Sequence, residues 1–138
     1  MSRNVFITGA SSGIGKAIAY AFGKNGDDLI LCARRIGKLE EIKADIERRF
    51  GVNVYIFELD VTKYDKVVKT VKKILEKVSK VDILVNNAGL ALGLEKFQEY
   101  SIMDMEIMID TNVKGLLYVS REIIPNMVEN NTGHIINM

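Results

Sequence analysis

The chain has 138 residues, 48% of them hydrophobic and 27% charged, which suits one globular domain with a sizeable core. Nineteen Lys and Arg against eighteen Asp and Glu leave a formal charge of +1, so composition gives no case for nucleic acid or an anionic membrane, and any anion affinity must be local. No signal-peptide core or membrane span opens the chain, and Cys32 stands alone in an apolar run, so a reducing, cytoplasmic setting is expected.

Five short β-branched runs, 5–8, 29–33, 54–57, 83–85 and 135–136, read as strands. They carry almost no polar alternation, as expected of parallel strands covered on both faces. Between them lie amphipathic stretches. Ile14, Ala17, Ile18, Ala21 and Phe22 mark one helical stripe; Leu39, Ile42, Ile46 and Phe50 a second; Val67, Val71, Ile74 and Val78 a third. A loop over about 89–100 precedes a long helical region, 103–129, with a stripe at Ile109, Val113, Leu116, Ser120, Ile123 and Met127, widened by Leu117, Ile124 and Val128. One proline, Pro125, and no low-complexity stretch leave a single domain over 1–138. The alternation predicts a doubly wound α/β fold with its ligand at the strands' carboxyl ends.

There the first strand runs into TGASSGIG over residues 8–15. Glycines at this position serve a tight turn, and they also let a ligand approach the free N–H groups and positive dipole of the next helix. Gly9, Ala10, Ser11, Ser12, Gly13, Ile14 and Gly15 are therefore candidates for a nucleotide's phosphates. No Lys-Ser/Thr pair comes after Gly15, which argues against a triphosphate loop and for a dinucleotide. Where an NAD-binding fold places an acid for the ribose 2′-hydroxyl, this chain has Ala33 and then Arg34 and Arg35. An arginine pair is often merely solvated, but at this position its guanidinium forks suit the 2′-phosphate of NADP.

Together, TGxxxGxG over 8–15, Asp60-Val61 after the third strand, NNAG over 86–89 and Asn112 in the long helix resemble the classical short-chain dehydrogenases/reductases along essentially the whole chain. The resemblance implies a Rossmann-type sheet of order 3-2-1-4-5, adenine contacts from Asp60 and Val61, and an adenosine-side wall from Asn86, Asn87, Ala88 and Gly89. Asn112 resembles the family's helix-interrupting asparagine, whose backbone carbonyl holds a water of the proton relay. The wording of 86–93, 110–115 and 133–137 is similar to NADP-dependent 3-hydroxy acid dehydrogenases, a branch that includes serine and L-allo-threonine dehydrogenases. That implies a small-molecule substrate whose hydroxyl, β to a carboxylate, exchanges a hydride with the nicotinamide.

The same resemblance calls for a Ser, and a Tyr with a Lys four residues later, beyond Met138. Without them the 138 residues are expected to be inactive, and a non-catalytic NADP-binding module is the alternative. A methyltransferase would want an acid near Ala33. Tyr20 and Lys24 have the Tyr-x-x-x-Lys spacing but lie on the first helix and are read as structural; His134, the sole histidine, is read likewise, and no metal is expected. The family's use of the long helix implies a homo-oligomer, a dimer or tetramer, and the fifth strand is expected at a sheet edge.

Overall fold

A strand apolar on both sides must be covered on both sides, and each face of the sheet has its own helices. The computed structural model describes residues 2–138. Its strands are β1 (Asn4–Thr8), β2 (Asp28–Ala33), β3 (Val54–Glu58), β4 (Ile83–Asn86) and β5 (His134–Asn137). They pair in parallel in the order β3-β2-β1-β4-β5, as expected, with β5 at an edge. Val5, Ile7, Leu29 and Leu31 face one way, against α1 (Gly13–Lys24) and α2 (Ile36–Phe50). Phe6, Ile30 and Leu84 face the other, against α3 (Tyr64–Lys77) and α5 (Gly115–Glu129).

Along the stripes of α2 and α3, Leu39, Ile42, Ile46, Val67, Val71 and Ile74 are buried as the period predicts, with Phe50 half-buried at the end of α2 and Val78 buried just past the end of α3. The stripe expected on α1 is borne out in part: Ile18 and Phe22 are half-buried against the core, but they flank a buried line of smaller residues. Ile14 is 63% exposed, and Ala17 and Ala21 are exposed too, while Gly15, Ala19 and Gly23 are buried. Small residues one turn apart let the helix approach closely: a Cβ on Gly23 would stand 3.0 Å from the Ile46 side chain and 3.2 Å from the Phe50 ring. Packing distance, rather than hydrophobicity, selects this face.

The long helical region is interrupted. The helix α4 (Ile102–Ile109) passes into one π-helical turn (Asp110–Lys114), closed by the Gly115 N–H donating to the Asp110 carbonyl, before α5 begins. The extra residue in that turn breaks the period. Ile109 and Val113 are accordingly exposed, and the buried line of α5 is Gly115, Val119, Ile123 and Met127. Gly115 is required there, because a Cβ would lie 2.5 Å from Val61 Cγ2.

The other elements seat these layers. Tyr20 donates its hydroxyl to Asp45 Oδ2 at 2.6 Å, bracing α1 on α2. His134 is exposed and its N–H donates to the Asp82 carbonyl at 3.0 Å, at the edge opposite the glycine loop. Among the described residues no helix is long and apolar enough to cross a membrane, and no three His, Cys, Asp or Glu converge as metal ligands.

At the amino edge of the sheet, buried Asp27 accepts from Arg3 Nε (2.9 Å) and Nη2 (2.8 Å) and from Asn25 Nδ2 (3.0 Å). The hydrogen bond from Arg3 chiefly holds its carboxyl below the ordinary range, against the opposing effect of burial. A carboxyl depressed in the folded state stabilises above its unfolded pKa, about 3.9, and that contribution is lost as pH falls through the folded value. Urea unfolding at pH 7 and pH 3 is expected to show a smaller acid-induced loss of stability for Asp27→Asn than for the native chain, with the variant less stable at pH 7.

Candidate cofactor site

Thr8 ends β1 with its side chain buried, and its hydroxyl gathers the peptide groups at the ends of two strands. Thr8 Oγ1 accepts from the N–H groups of Asn87 (3.0 Å) and Ala88 (2.9 Å) and donates toward the Val85 carbonyl at 3.5 Å. The Asn87 amide donates in return to the Thr8 and Gly9 carbonyls at 3.2 and 3.1 Å. The segment after β4 is thus fastened beside the glycine loop.

The three glycines have different tasks. Gly9 (φ +62°) would place a Cβ 2.9 Å from Ala88 Cα, and a Cβ on Gly15 would collide with the Gly9 carbonyl and the Asn87 amide. Both are small so that the loop can close on itself. Gly13 (φ +54°) has open space where a Cβ would be, and its left-handed backbone is what favours glycine there. The α1 N-terminus has no side-chain cap and no acid in its first turn, so its amides and dipole are available to an anion.

A cleft of about 390 Å³ opens at this edge. Gly9, Ser11, Ser12 and Ile14 form one wall, Arg34 and Arg35 with Asp60 and Val61 a second, and Asn87, Ala88 and Gly89 a third. The exposure of Ile14 is a consequence of this placement. Both arginines are exposed and, among the described residues, neither forms a salt bridge. Burial raises the Asp60 carboxyl, but hydrogen bonds from the Thr62 hydroxyl (2.7 Å) and N–H (3.0 Å), with the Arg34 and Lys63 charges, outweigh it and hold the group below its ordinary range.

Ala10, Gly15 and Asn86, singled out in the sequence as cofactor contacts, stand behind these walls. Ala10 is fully buried. Asn86 is the last residue of β4 and faces α5: its Nδ2 donates to Ser120 Oγ and Asn137 Oδ1, each at 3.0 Å. Gly13 borders an adjoining groove. Asn112 is not a wall residue but holds one, since its Oδ1 accepts from the Leu90 N–H and its Nδ2 donates to the Leu90 carbonyl, both at 2.8 Å. A Cβ on Gly89 would come within 3.0 Å of Asn112 Oδ1.

Residues not singled out in the sequence also line the cleft: Leu59, Leu90 and Thr111, with Cys32 beneath. Each stands directly beside a motif residue, and adjacency is the only signal the sequence holds for them. The Cys32 thiol is buried, which pushes its pKa up and removes it from redox or nucleophilic chemistry.

The profile of the short chain dehydrogenase family matches residues 3–138. The chain belongs to that family. It is 45% identical over 134 residues to the NADP-dependent 3-hydroxy acid dehydrogenase YdfG of Escherichia coli O6:H1, a match covering 97% of this chain and 52% of the relative. It therefore spans about half the length of that curated relative. Serine dehydrogenase from Escherichia coli superposes with a TM-score of 0.89 at 43% identity, covering 97% of this chain and 60% of that one. An alcohol dehydrogenase from Thermococcus sibiricus, complexed with 5-hydroxy-NADP, superposes at 0.93 with 33% identity over 98% of this chain and 57% of its own.

Asn112→Leu removes both bonds to Leu90. Hydrogen exchange is expected to show faster exchange of the Leu90 amide with little change in the β1 and β4 amides; an unaltered Leu90 rate would contradict the fastening role. The two bonds contribute about 1 kcal/mol together, given that the residue is exposed.

Proposed function

We propose that this chain binds NADP and contributes the cofactor cleft of an oxidoreductase that transfers a hydride between the nicotinamide and a 3-hydroxy acid, such as serine or allo-threonine. The observation that carries the cofactor is local: neutral Ala33 sits where NAD-binding folds place an acid, and the exposed Arg34 and Arg35, which form no salt bridge among the described residues, continue from it along one wall of the cleft. Their forked donors match a phosphate, and each good bond to a charged group is worth about 1.5–3 kcal/mol. The uncapped start of α1 beside Ser11, Ser12 and Gly13 is suited to the pyrophosphate, and Asp60 with Val61 and Asn87–Gly89 to the adenosine. The bound cofactor would supply or accept the hydride. The naming of the Escherichia coli relatives as 3-hydroxy acid and serine dehydrogenases supports the substrate class.

Asn112 is assigned to the proton relay through its backbone. Both polar atoms of its side chain are committed to Leu90, so the part assigned to it is that of its main-chain carbonyl, in the π-helical turn. Tyr20 is assigned no part in the chemistry, because its hydroxyl is engaged with Asp45 between α1 and α2. The exposed apolar side of the helical region, Ile109, Val113, Leu117, Ile124 and Val128, is assigned to the interface of a homo-oligomer.

Calorimetric titration tests the cofactor assignment. The chain is expected to bind NADP more tightly than NAD, and R34A/R35A to reduce that preference about ten- to hundredfold. An unchanged ratio of affinities would sink the assignment. The 138-residue chain mixed with NADP and L-serine is expected to give no turnover above a protein-free control, because Tyr20 and Lys24, which have the Tyr-x-x-x-Lys spacing, lie on α1 with the Tyr20 hydroxyl engaged by Asp45.

A further inference from the structure

The cleft does not end at the glycine loop. Ser11 and Ser12 also line a second groove, of about 470 Å³, that runs between α1 and α2. Its charge is graded along its length. Lys16, in the first turn of α1, and Lys38, in the first turn of α2, stand near the serines. Asp45 lies two turns further along α2, roughly 10 Å from Lys38 at 1.5 Å per residue. There its carboxylate is occupied, accepting from the Tyr20 hydroxyl and from Arg48 and Arg49. Glu41 is the remaining acid of the groove.

The mouth, where the groove meets the cofactor cleft, therefore has two ammonium groups and two hydroxyls. Neither lysine forms a salt bridge among the described residues, although Glu41 is one turn from Lys38. Ser11 and Ser12 border both cavities, which puts Arg34 and Arg35 in the cavity on one side of them and Lys16 and Lys38 in the cavity on the other. The two sets differ in kind: guanidinium forks are planar and directional, whereas ammonium groups are point charges on flexible arms.

We propose that Lys16 and Lys38 form the second wall of the 2′-phosphate site, opposite Arg34 and Arg35, and are specificity-determining residues for NADP over NAD. The inference rests on the NADP reading of the cleft. Glu41 limits the net charge of the groove, so the lysines act at its mouth only, and their exposure makes their contribution sensitive to salt.

The experiment is calorimetry on the native chain, K16A/K38A, K16R/K38R and R34A/R35A, each titrated with NADP and NAD, and with adenosine 2′,5′-bisphosphate and AMP, which differ only in the 2′-phosphate. K16A/K38A is expected to lose about five- to tenfold in affinity for NADP and the bisphosphate while NAD and AMP are unchanged. K16R/K38R retains the preference, and raising the salt narrows the gap between the native chain and K16A/K38A. An NADP-to-NAD ratio in K16A/K38A within twofold of native, with the ratio lost in R34A/R35A, overturns the lysine assignment and leaves the NADP reading standing. Equal losses for NADP and NAD overturn it as well, since they place the lysines on the pyrophosphate or in the fold. A native chain with no preference for NADP overturns both readings.

Discussion

One buried hydroxyl holds the cleft together. Two parallel neighbouring strands, β1 and β4, each end at the cleft with peptide groups that have left the ladder, and such groups must find partners or water. Thr8 answers for both ends: it accepts from Asn87 and Ala88, and Asn87 answers with bonds to the Thr8 and Gly9 carbonyls. From this junction the arrangement extends outward without a gap. Gly9 and Gly15 are small because Ala88 and Asn87 are close, Gly89 is small because Asn112 is close, and Asn112 holds Leu90. The cavity is shaped by backbone brought near backbone, and the side chains that face a guest are added to that frame.

Charge is sorted across the sheet in a way the total of +1 conceals. At the amino edge acids are held in place: Asp27 by Arg3, Asp28 by the Asn53 N–H, and Asp82 by the Asn4 N–H with Lys80 nearby. At the carboxyl edge Arg34, Arg35, Lys16 and Lys38 form no salt bridge among the described residues, and neither α1 nor α2 has an acid in its first turn. A ligand meets a rim of cations with Asp60 as the acid among them. Anion recognition here is a matter of where these cations stand, and net charge carries no information about it.

Much of this is legible in the residues, and the parts that are not have identifiable causes. Strands apolar on both faces announce a covered parallel sheet, and four motifs at the strand ends locate the cleft. The buried face of α1 escapes the hydrophobic period because Gly15, Ala19 and Gly23 carry little apolar signal: they are buried for their size, and Ile14 is exposed because it borders the cleft. Asn86 and Asn87 look like one motif, yet successive strand residues point to opposite faces, so Asn86 turns toward α5 and Asn87 toward the loop. Lys16 and Lys38 read as ordinary solvated charges, since only the packing of α1 beside α2 brings them to one groove.

The π-helical turn also makes chain length elastic at one place. The turn takes up one residue more than an α-helix needs, so removing one residue there restores the α-helical ladder and leaves α4 and α5 close to their present directions. What such a deletion gives up is the turn itself, and with it the placing of Asn112 beside Leu90. A deletion within α5 has no spare residue to draw on: it rotates everything after it by about 100° and carries Val119, Ile123 and Met127 off the buried face. The turn thus acts as slack between two helical segments, and among variants of this chain the loss of one residue should cost the core little within Asp110–Lys114 and much within α5.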